Sequence, residues 1–174
     1  AGQILGVRMA MYGLRLLALD DPAGAHRKRL VTFVEIDRCA TDAIGVVTGC
    51  RLGKRALKFR DFGKMAATFC DLGEDRAVRL VALESSKQRA RELHPEIESK
   101  NRQQMAAYRE LPDAELFSAQ WVRVRIGPED LPGYKAARIA CEQCGEGVNF
   151  ERQVTRDGRT LCRGCAGERY YTPL

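Results

Sequence analysis

The chain has 174 residues, of which 45% are apolar and 30% charged, with 16 glycines and 6 prolines. This balance supplies enough apolar side chains for a buried core, and it excludes a disordered or collagen-like chain. The formal charge of +6 raises the question of nucleic-acid binding. However, the chain from Arg138 onward carries six arginines against five acidic residues, so its last part has no concentrated basic charge for phosphates.

The first segment, residues 2–19, is apolar enough to suggest a signal peptide. Arg8 and Arg15 interrupt it and no polar cleavage region follows, so we predict neither an export signal nor a membrane span. Its apolar residues recur at helical spacing, which predicts a nearly buried helix over residues 4–19. Gly6 and Gly13 fall on one side of this helix. There, the absent side chain would let another backbone approach; the alternative is that both glycines are simply tolerated in the helix.

Further elements follow from period and from turn residues. In chain order we predict a strand over 30–36, a helix over 41–47, strands over 56–62, 66–71 and 77–83, helices over 86–93 and 96–110, and a strand over 121–126. The three middle strands predict an antiparallel meander, which the last strand completes. The fold class is therefore an α+β core with an antiparallel sheet and packed helices.

Linker-type residues follow the last strand. Gly127, Pro128, Pro132 and Gly133 lie within seven residues, which is typical of a connection between domains. We predict a core domain over residues 1–130 and a small second domain over residues 136–174.

The second domain contains four cysteines with the spacing of a zinc site. Two residues separate Cys141 from Cys144, two separate Cys162 from Cys165, and 17 lie between the pairs. A two-residue gap lets both sulfurs of a tight turn reach one ion, and two such turns complete a tetrahedron of thiolates. Because four thiolates leave no open coordination position, we predict structural zinc. The alternative, a redox pair of Cys-x-x-Cys motifs, lacks its usual βαβ context.

The segment between the cysteine pairs predicts a β-hairpin with an Asp-Gly turn at Asp157 and Gly158. Turn, hairpin, turn and a following helical turn is the order of a treble-clef zinc finger. If a metal takes four of the seven cysteines, the remaining three cannot all pair within one chain, which favours a reduced, cytoplasmic compartment.

A second candidate site lies in the core at Asp37 and Cys39. Cys39 is expected in the loop after a strand and just before a helix, where the positive end of the helix favours a thiolate that could serve as a ligand or a nucleophile. The alternative is that this lone cysteine is simply a small apolar residue. Both interpretations stay open on spacing alone.

Four segments of the core, GVRMA, EIDRCATDAI, TGCRLGK and FRDFGKMA, resemble the FmdE family, which is named for a component of formylmethanofuran dehydrogenase, and the cysteine-rich tail resembles its accessory zinc finger. The resemblance covers nearly the whole chain. It implies an α+β core, a treble-clef appendage, a homodimer and an association with the molybdenum or tungsten enzyme that handles one-carbon units in methanogenesis.

The family's first helix is normally preceded by a His-Gly-His-x-Cys segment, so we expect further residues upstream of Ala1. The resemblance pairs that segment with Asp37 and Cys39, which implies a second metal or a cofactor in the core. The leading hypothesis is an accessory or partner of a molybdenum or tungsten oxidoreductase, not a complete enzyme. The alternatives are a metal-delivery protein or enzyme that uses Cys39, and a zinc-containing nucleic-acid-binding regulator, which the charge distribution makes the weaker one.

Overall fold

The computed structural model describes residues 1–173 and divides into two compact units, Ala1–Arg125 and Ile126–Leu174. The first unit contains one mixed sheet and five helices within its described residues. The helices are α1 (Gly2–Leu17), α2 (Cys39–Thr48), α3 (Ser85–Leu93), α4 (Lys100–Glu110) and α5 (Asp113–Leu116), and the strands are β1 (Leu30–Val34), β2 (Leu57–Phe59), β3 (Ala66–Asp71), β4 (Arg76–Ala82) and β5 (Phe117–Val122). The predicted α+β class is confirmed.

The sheet has the strand order β2-β1-β3-β4-β5. Strands β1, β3, β4 and β5 pair antiparallel, but β2 pairs parallel to β1 at the sheet edge. The expected meander of the three middle strands was therefore wrong for its first member. The reason is the connection: a helix, α2, leads from β1 to β2, and strands joined through a crossover helix run parallel.

The last strand of the core begins earlier than its sequence pattern indicates. The alternating apolar and basic residues predict residues 121–126, whereas β5 spans Phe117–Val122. The neighbouring strand decides this difference, because β4 begins at Arg76 and its Ala77 already pairs with Val122. The residues beyond Val122 keep their alternation but have little of β4 left to pair with.

The start of α2 is also corrected. Cys39 was expected in a loop, but it is the first residue of the helix, with Arg38 at the cap position. The backbone N–H of Thr41 donates to the carbonyl of Arg38 at 2.7 Å, which begins the helix two residues earlier than predicted. The hydroxyl of Thr41, expected as a cap, instead donates to the carbonyl of Ile36 at 2.5 Å.

Helix α1 packs closely against α2 and the sheet through its glycines. A Cβ placed on Gly6 would lie 2.4 Å from the carbonyl oxygen of Ala40 in α2, and one on Gly13 would lie 2.4 Å from the ring of Phe69 in β3. The predicted approach of another backbone is confirmed at Gly6, whereas at Gly13 the close neighbour is an aromatic ring. Phe69 and Met9 are fully buried at the centre of this packing.

The second unit contains two small hairpins within its described residues. Strands β6 (Ile139–Ala140) and β7 (Gly147–Val148) form one, and β8 (Val154–Arg156) and β9 (Arg159–Leu161) form the other, followed by a helical turn over Gly164–Glu168. Asp157 and Gly158 have φ angles of 51° and 75°, as a two-residue hairpin turn requires. Within residues 1–173, no helix combines the length and apolar composition that crossing a bilayer requires.

The contact at Gly6 predicts a measurable cost. Gly6→Ala should lower the free energy of unfolding by about 1–3 kcal/mol, because the new methyl group meets a backbone carbonyl that cannot rotate away. The measurement is urea unfolding followed by circular dichroism. The matched control is Gly53→Ala, where an added Cβ meets no atom within 4 Å. Equal unfolding midpoints for the two variants would contradict the role of this contact.

Candidate functional site

The four cysteines of the second unit lie together. The sulfur atoms of Cys141, Cys144, Cys162 and Cys165 are all within 4.8 Å of one another. The turn after the first cysteine is held by a hydrogen bond from the Gly145 backbone N–H to the carbonyl of Cys141, at 2.9 Å. The strand β9 ends one residue before Cys162 and delivers the second pair to the same point.

This sulfur cluster fits a tetrahedral zinc ion. The Cys144 and Cys162 sulfurs are 3.9 Å apart. A zinc–sulfur distance of about 2.3 Å in a regular tetrahedron gives sulfur–sulfur edges of about 3.8 Å. The backbone N–H of Cys165 donates to the sulfur of Cys162 at 3.3 Å, which stabilises charge on that sulfur. Zinc here would be enclosed by four protein ligands, the arrangement of a structural site.

The thiols of the cluster differ in acidity for identifiable reasons. Hydrogen bonds from the backbone N–H groups of Cys144 and Cys162 lower the pKa of Cys141 to about 6. The Glu146 backbone N–H lowers the pKa of Cys144, but burial and the neighbouring thiols outweigh it and raise the pKa to about 12. Sulfurs this close cannot all ionise without a cation between them. The cluster therefore needs a metal ion to hold four thiolates.

The core unit contains a separate cavity of about 550 Å³ at the start of α2. Cys39 lies in its wall and is an exposed thiol. A Cβ placed on Gly2 would be 2.7 Å from the Cys39 sulfur, so the first turn of α1 closes one side of the thiol. Leu5 and Met65 contribute apolar surface. The volume lies within the range of about 300–1,000 Å³ typical of small-molecule sites.

The opposite wall of the cavity comes from α3 and α4. Tyr108 is only 3% exposed, and its hydroxyl oxygen lies 3.5 Å from the hydroxyl of Ser86. The Ser86 hydroxyl donates to the carbonyl of Leu83 at 2.7 Å. At the rim, Lys87 forms an ion pair with Glu84 at 2.5 Å.

Of the two residues predicted to form a core site, Asp37 and Cys39, only one lies at this cavity. Cys39 lines it, whereas Asp37 is exposed and is not among the lining residues. Within residues 1–173, the four-cysteine cluster is the only group of three or more His, Cys, Asp or Glu side chains close enough to share an ion. A second metal in the core therefore stays a prediction. Cys50 and Cys70 are buried, and burial raises the pKa of Cys70 to about 12, which suits packing more than chemistry.

Sequence reasoning missed the α3 and α4 contributions to the cavity. Ser86 and Tyr108 are buried residues on helices whose other positions are mostly polar. The sequence pattern did not predict the burial of these two residues, because a serine in a mostly polar helix is ordinarily exposed. Arg38 was named only as part of a motif, although it lines the cavity next to Cys39.

The fold and the two sites define a class: an α+β core with a cavity, followed by a four-cysteine zinc-finger module. Two family models match the chain. Residues 1–118 match "FmdE, Molybdenum formylmethanofuran dehydrogenase operon", and residues 135–171 match "Prokaryotic dksA/traR C4-type zinc finger". The chain belongs to the FmdE family and carries a C-terminal four-cysteine zinc finger, as predicted.

Two known proteins, one compared by sequence and one by structure, are similar to the chain. A protein of Archaeoglobus fulgidus named "Probable S-adenosyl-L-methionine-binding protein" is 30% identical over 190 aligned residues, which cover 95% of this chain and 49% of the relative. The chain thus spans about half the length of that relative. A crystal structure of an FmdE-like protein from Syntrophus aciditrophicus, named after a tungsten formylmethanofuran dehydrogenase, superposes with a TM-score of 0.64 at 20% identity, over 99% of this chain and 86% of the other. That likeness supports the fold.

The cluster geometry predicts one zinc per chain. Cys165→Ser should weaken zinc binding at least about a hundredfold, because changes outside the ligand shell alone cost about 10–100-fold. Cys39→Ser, the matched control, should keep the zinc of the cluster. Metal analysis by mass spectrometry provides the measurement. Zinc loss should increase as the pH falls, since protons compete for thiolates that the metal needs ionised. Unchanged zinc in Cys165→Ser would contradict the assignment.

Proposed function

We propose that this protein is a cytoplasmic accessory protein of one-carbon metabolism. Its core binds a cofactor-sized small molecule in the Cys39 cavity, and it works with a molybdenum or tungsten oxidoreductase instead of completing a reaction alone. One observation carries the proposal: a cavity of about 550 Å³ has an exposed thiol in its wall. The zinc finger holds its metal for stability and contacts.

The cavity supports ligand binding better than self-contained catalysis. Its polar groups are a thiol, two hydroxyls, two amides and three charged side chains, and neither histidine of the chain lines it. A nucleophilic mechanism needs a base within hydrogen-bonding reach of the thiol. The described residues around Cys39 offer a binding surface with one soft, reactive atom, which suits holding a metal-bound or electrophilic cofactor.

The oxidoreductase partner is favoured by family membership. The family description refers to a molybdenum formylmethanofuran dehydrogenase operon, and the similar crystal structure is named after a tungsten enzyme of the same kind. A homodimer is proposed on the same basis. The nucleic-acid-binding alternative remains weaker, because the zinc-finger unit has nearly balanced charge.

The experiment is an activity assay of a formylmethanofuran dehydrogenase-type enzyme with and without this protein. Wild-type protein should raise the activity of that enzyme, or the amount of cofactor that the enzyme retains. Cys39→Trp should abolish the effect, because the indole fills the cavity. Gln120→Trp adds the same side chain on the exposed strand β5 and should leave the effect intact. An oxidoreductase that neither binds the wild-type protein nor responds to it would refute the partnership.

S-Adenosylmethionine is a second candidate ligand, favoured by the name of the Archaeoglobus relative and by the cavity volume. If it binds here, calorimetric titration should give a dissociation constant on the order of micromolar, roughly −8 kcal/mol. Binding should be lost in Cys39→Trp and kept in Gln120→Trp. Titrations of wild-type protein without heat of binding at millimolar ligand would remove this candidate.

A further inference from the structure

The charged side chains around the Cys39 cavity are mainly hydrogen-bond donors. Arg38 and Lys87 carry positive charge and Glu84 supplies the carboxylate, while Ser86, Tyr108, Asn101 and Gln104 carry hydroxyls and amides that can both donate and accept. Arginine and lysine only donate, whereas an ionised carboxylate only accepts. The charged groups of the cavity therefore offer a ligand more donors than acceptors.

The charges of the cavity do not cancel. Lys87 binds Glu84 at 2.5 Å, so these two side chains neutralise each other at the rim. Arg38 is exposed, and it forms no ion pair within residues 1–173. One positive charge is left over beside the Cys39 thiol. An anionic group entering the cavity would find this guanidinium without displacing a protein partner.

Tyr108 provides an independent indication of a ligand. Tyr108 is only 3% exposed, yet within residues 1–173 its hydroxyl has one hydrogen-bond partner, the Ser86 hydroxyl at 3.5 Å. The Ser86 hydroxyl donates to the Leu83 carbonyl at 2.7 Å and only weakly, at 3.5 Å, to the Tyr108 oxygen, so within residues 1–173 the tyrosine proton has no protein acceptor. A hydrogen bond between hydroxyls is normally about 2.7–2.8 Å. The buried donor is thus poorly satisfied by the protein and lines the cavity.

Two helices that begin at the cavity add positive electrostatic potential to that of Arg38. Helix α2 has ten residues and begins at Cys39, and α3 has nine and begins at Ser85. Neither has a side-chain hydrogen bond at its cap residue, Arg38 or Glu84. The backbone N–H groups of Ser86 and Lys87 already donate to the carbonyls of Leu83 and Glu84. What the two helix starts contribute is the positive end of each helix dipole, which attracts anions.

We propose that the ligand of the Cys39 cavity carries an oxyanion, a carboxylate or a phosphate, which binds Arg38 and the Tyr108 hydroxyl next to the thiol. This inference rests on the proposed function in so far as the cavity is the ligand site. It adds the chemical class of the group recognised there. It does not depend on an oxidoreductase partner.

The test compares two alkylating reagents on the full zinc-loaded chain. Iodoacetate carries a carboxylate and iodoacetamide is its neutral counterpart, and peptide mapping reports alkylation of Cys39. Relative to mercaptoethanol, the iodoacetate-to-iodoacetamide rate ratio at Cys39 should be raised about fivefold by one nearby positive charge. Arg38→Ala should return the ratio to that of the free thiol. Arg125→Ala, which removes an arginine outside the cavity lining, should leave it raised.

A competition experiment distinguishes the two oxyanions. Inorganic phosphate or acetate, compared with chloride at equal ionic strength, should slow the reaction of Cys39 with neutral iodoacetamide. The anion that protects identifies the class, and Tyr108→Phe should reduce its protection while keeping the buried ring. A rate ratio equal to that of mercaptoethanol, together with no protection by either anion, overturns the inference. A raised ratio with no effect on the oxidoreductase supports the oxyanion site and refutes only the partnership.

Discussion

The close contact between α1 and the backbone of α2 determines the geometry of the core site. Gly6 meets the carbonyl of Ala40, and Gly2 lies beside the Cys39 sulfur, so α1 approaches the first turn of α2 without side chains between them. This places the thiol at the edge of a cavity instead of inside the core. The same approach leaves the wall opposite α1 to α3 and α4, which complete the cavity. A side chain at Gly6 would separate the helices and change the position of Cys39.

The two cysteine sites of the chain differ in whether a ligand from solution can reach a sulfur atom. The four sulfurs of the zinc finger surround one point within 4.8 Å of one another, so a metal there has no free position for a substrate. Cys39, in contrast, is a single exposed thiol facing a cavity of about 550 Å³. The first arrangement stabilises a small unit that has little core of its own. The ligand binding that we propose therefore concerns the second.

The cavity joins a soft atom to a positively polarised environment. Arg38, the starts of two helices and Tyr108, whose hydroxyl is poorly satisfied by the protein, line the same cavity as the thiol of Cys39. Such a site can hold one charged end of a small molecule and present another part of it to sulfur. This combination is the basis of the oxyanion ligand that we propose for the cavity.

The amino-acid sequence by itself determined the zinc finger, because its ligands lie in two short turns whose spacing brings the sulfurs together locally. It also determined the α+β class, since that depends on residue period, but it left the close contact at Gly6 as one of two interpretations. Tertiary structure alone decided the direction of β2, the end of β5 and the separation of Asp37 from the Cys39 cavity. It also decided that Ser86 and Tyr108 join Cys39, because helices distant in the chain meet only through packing of the whole core.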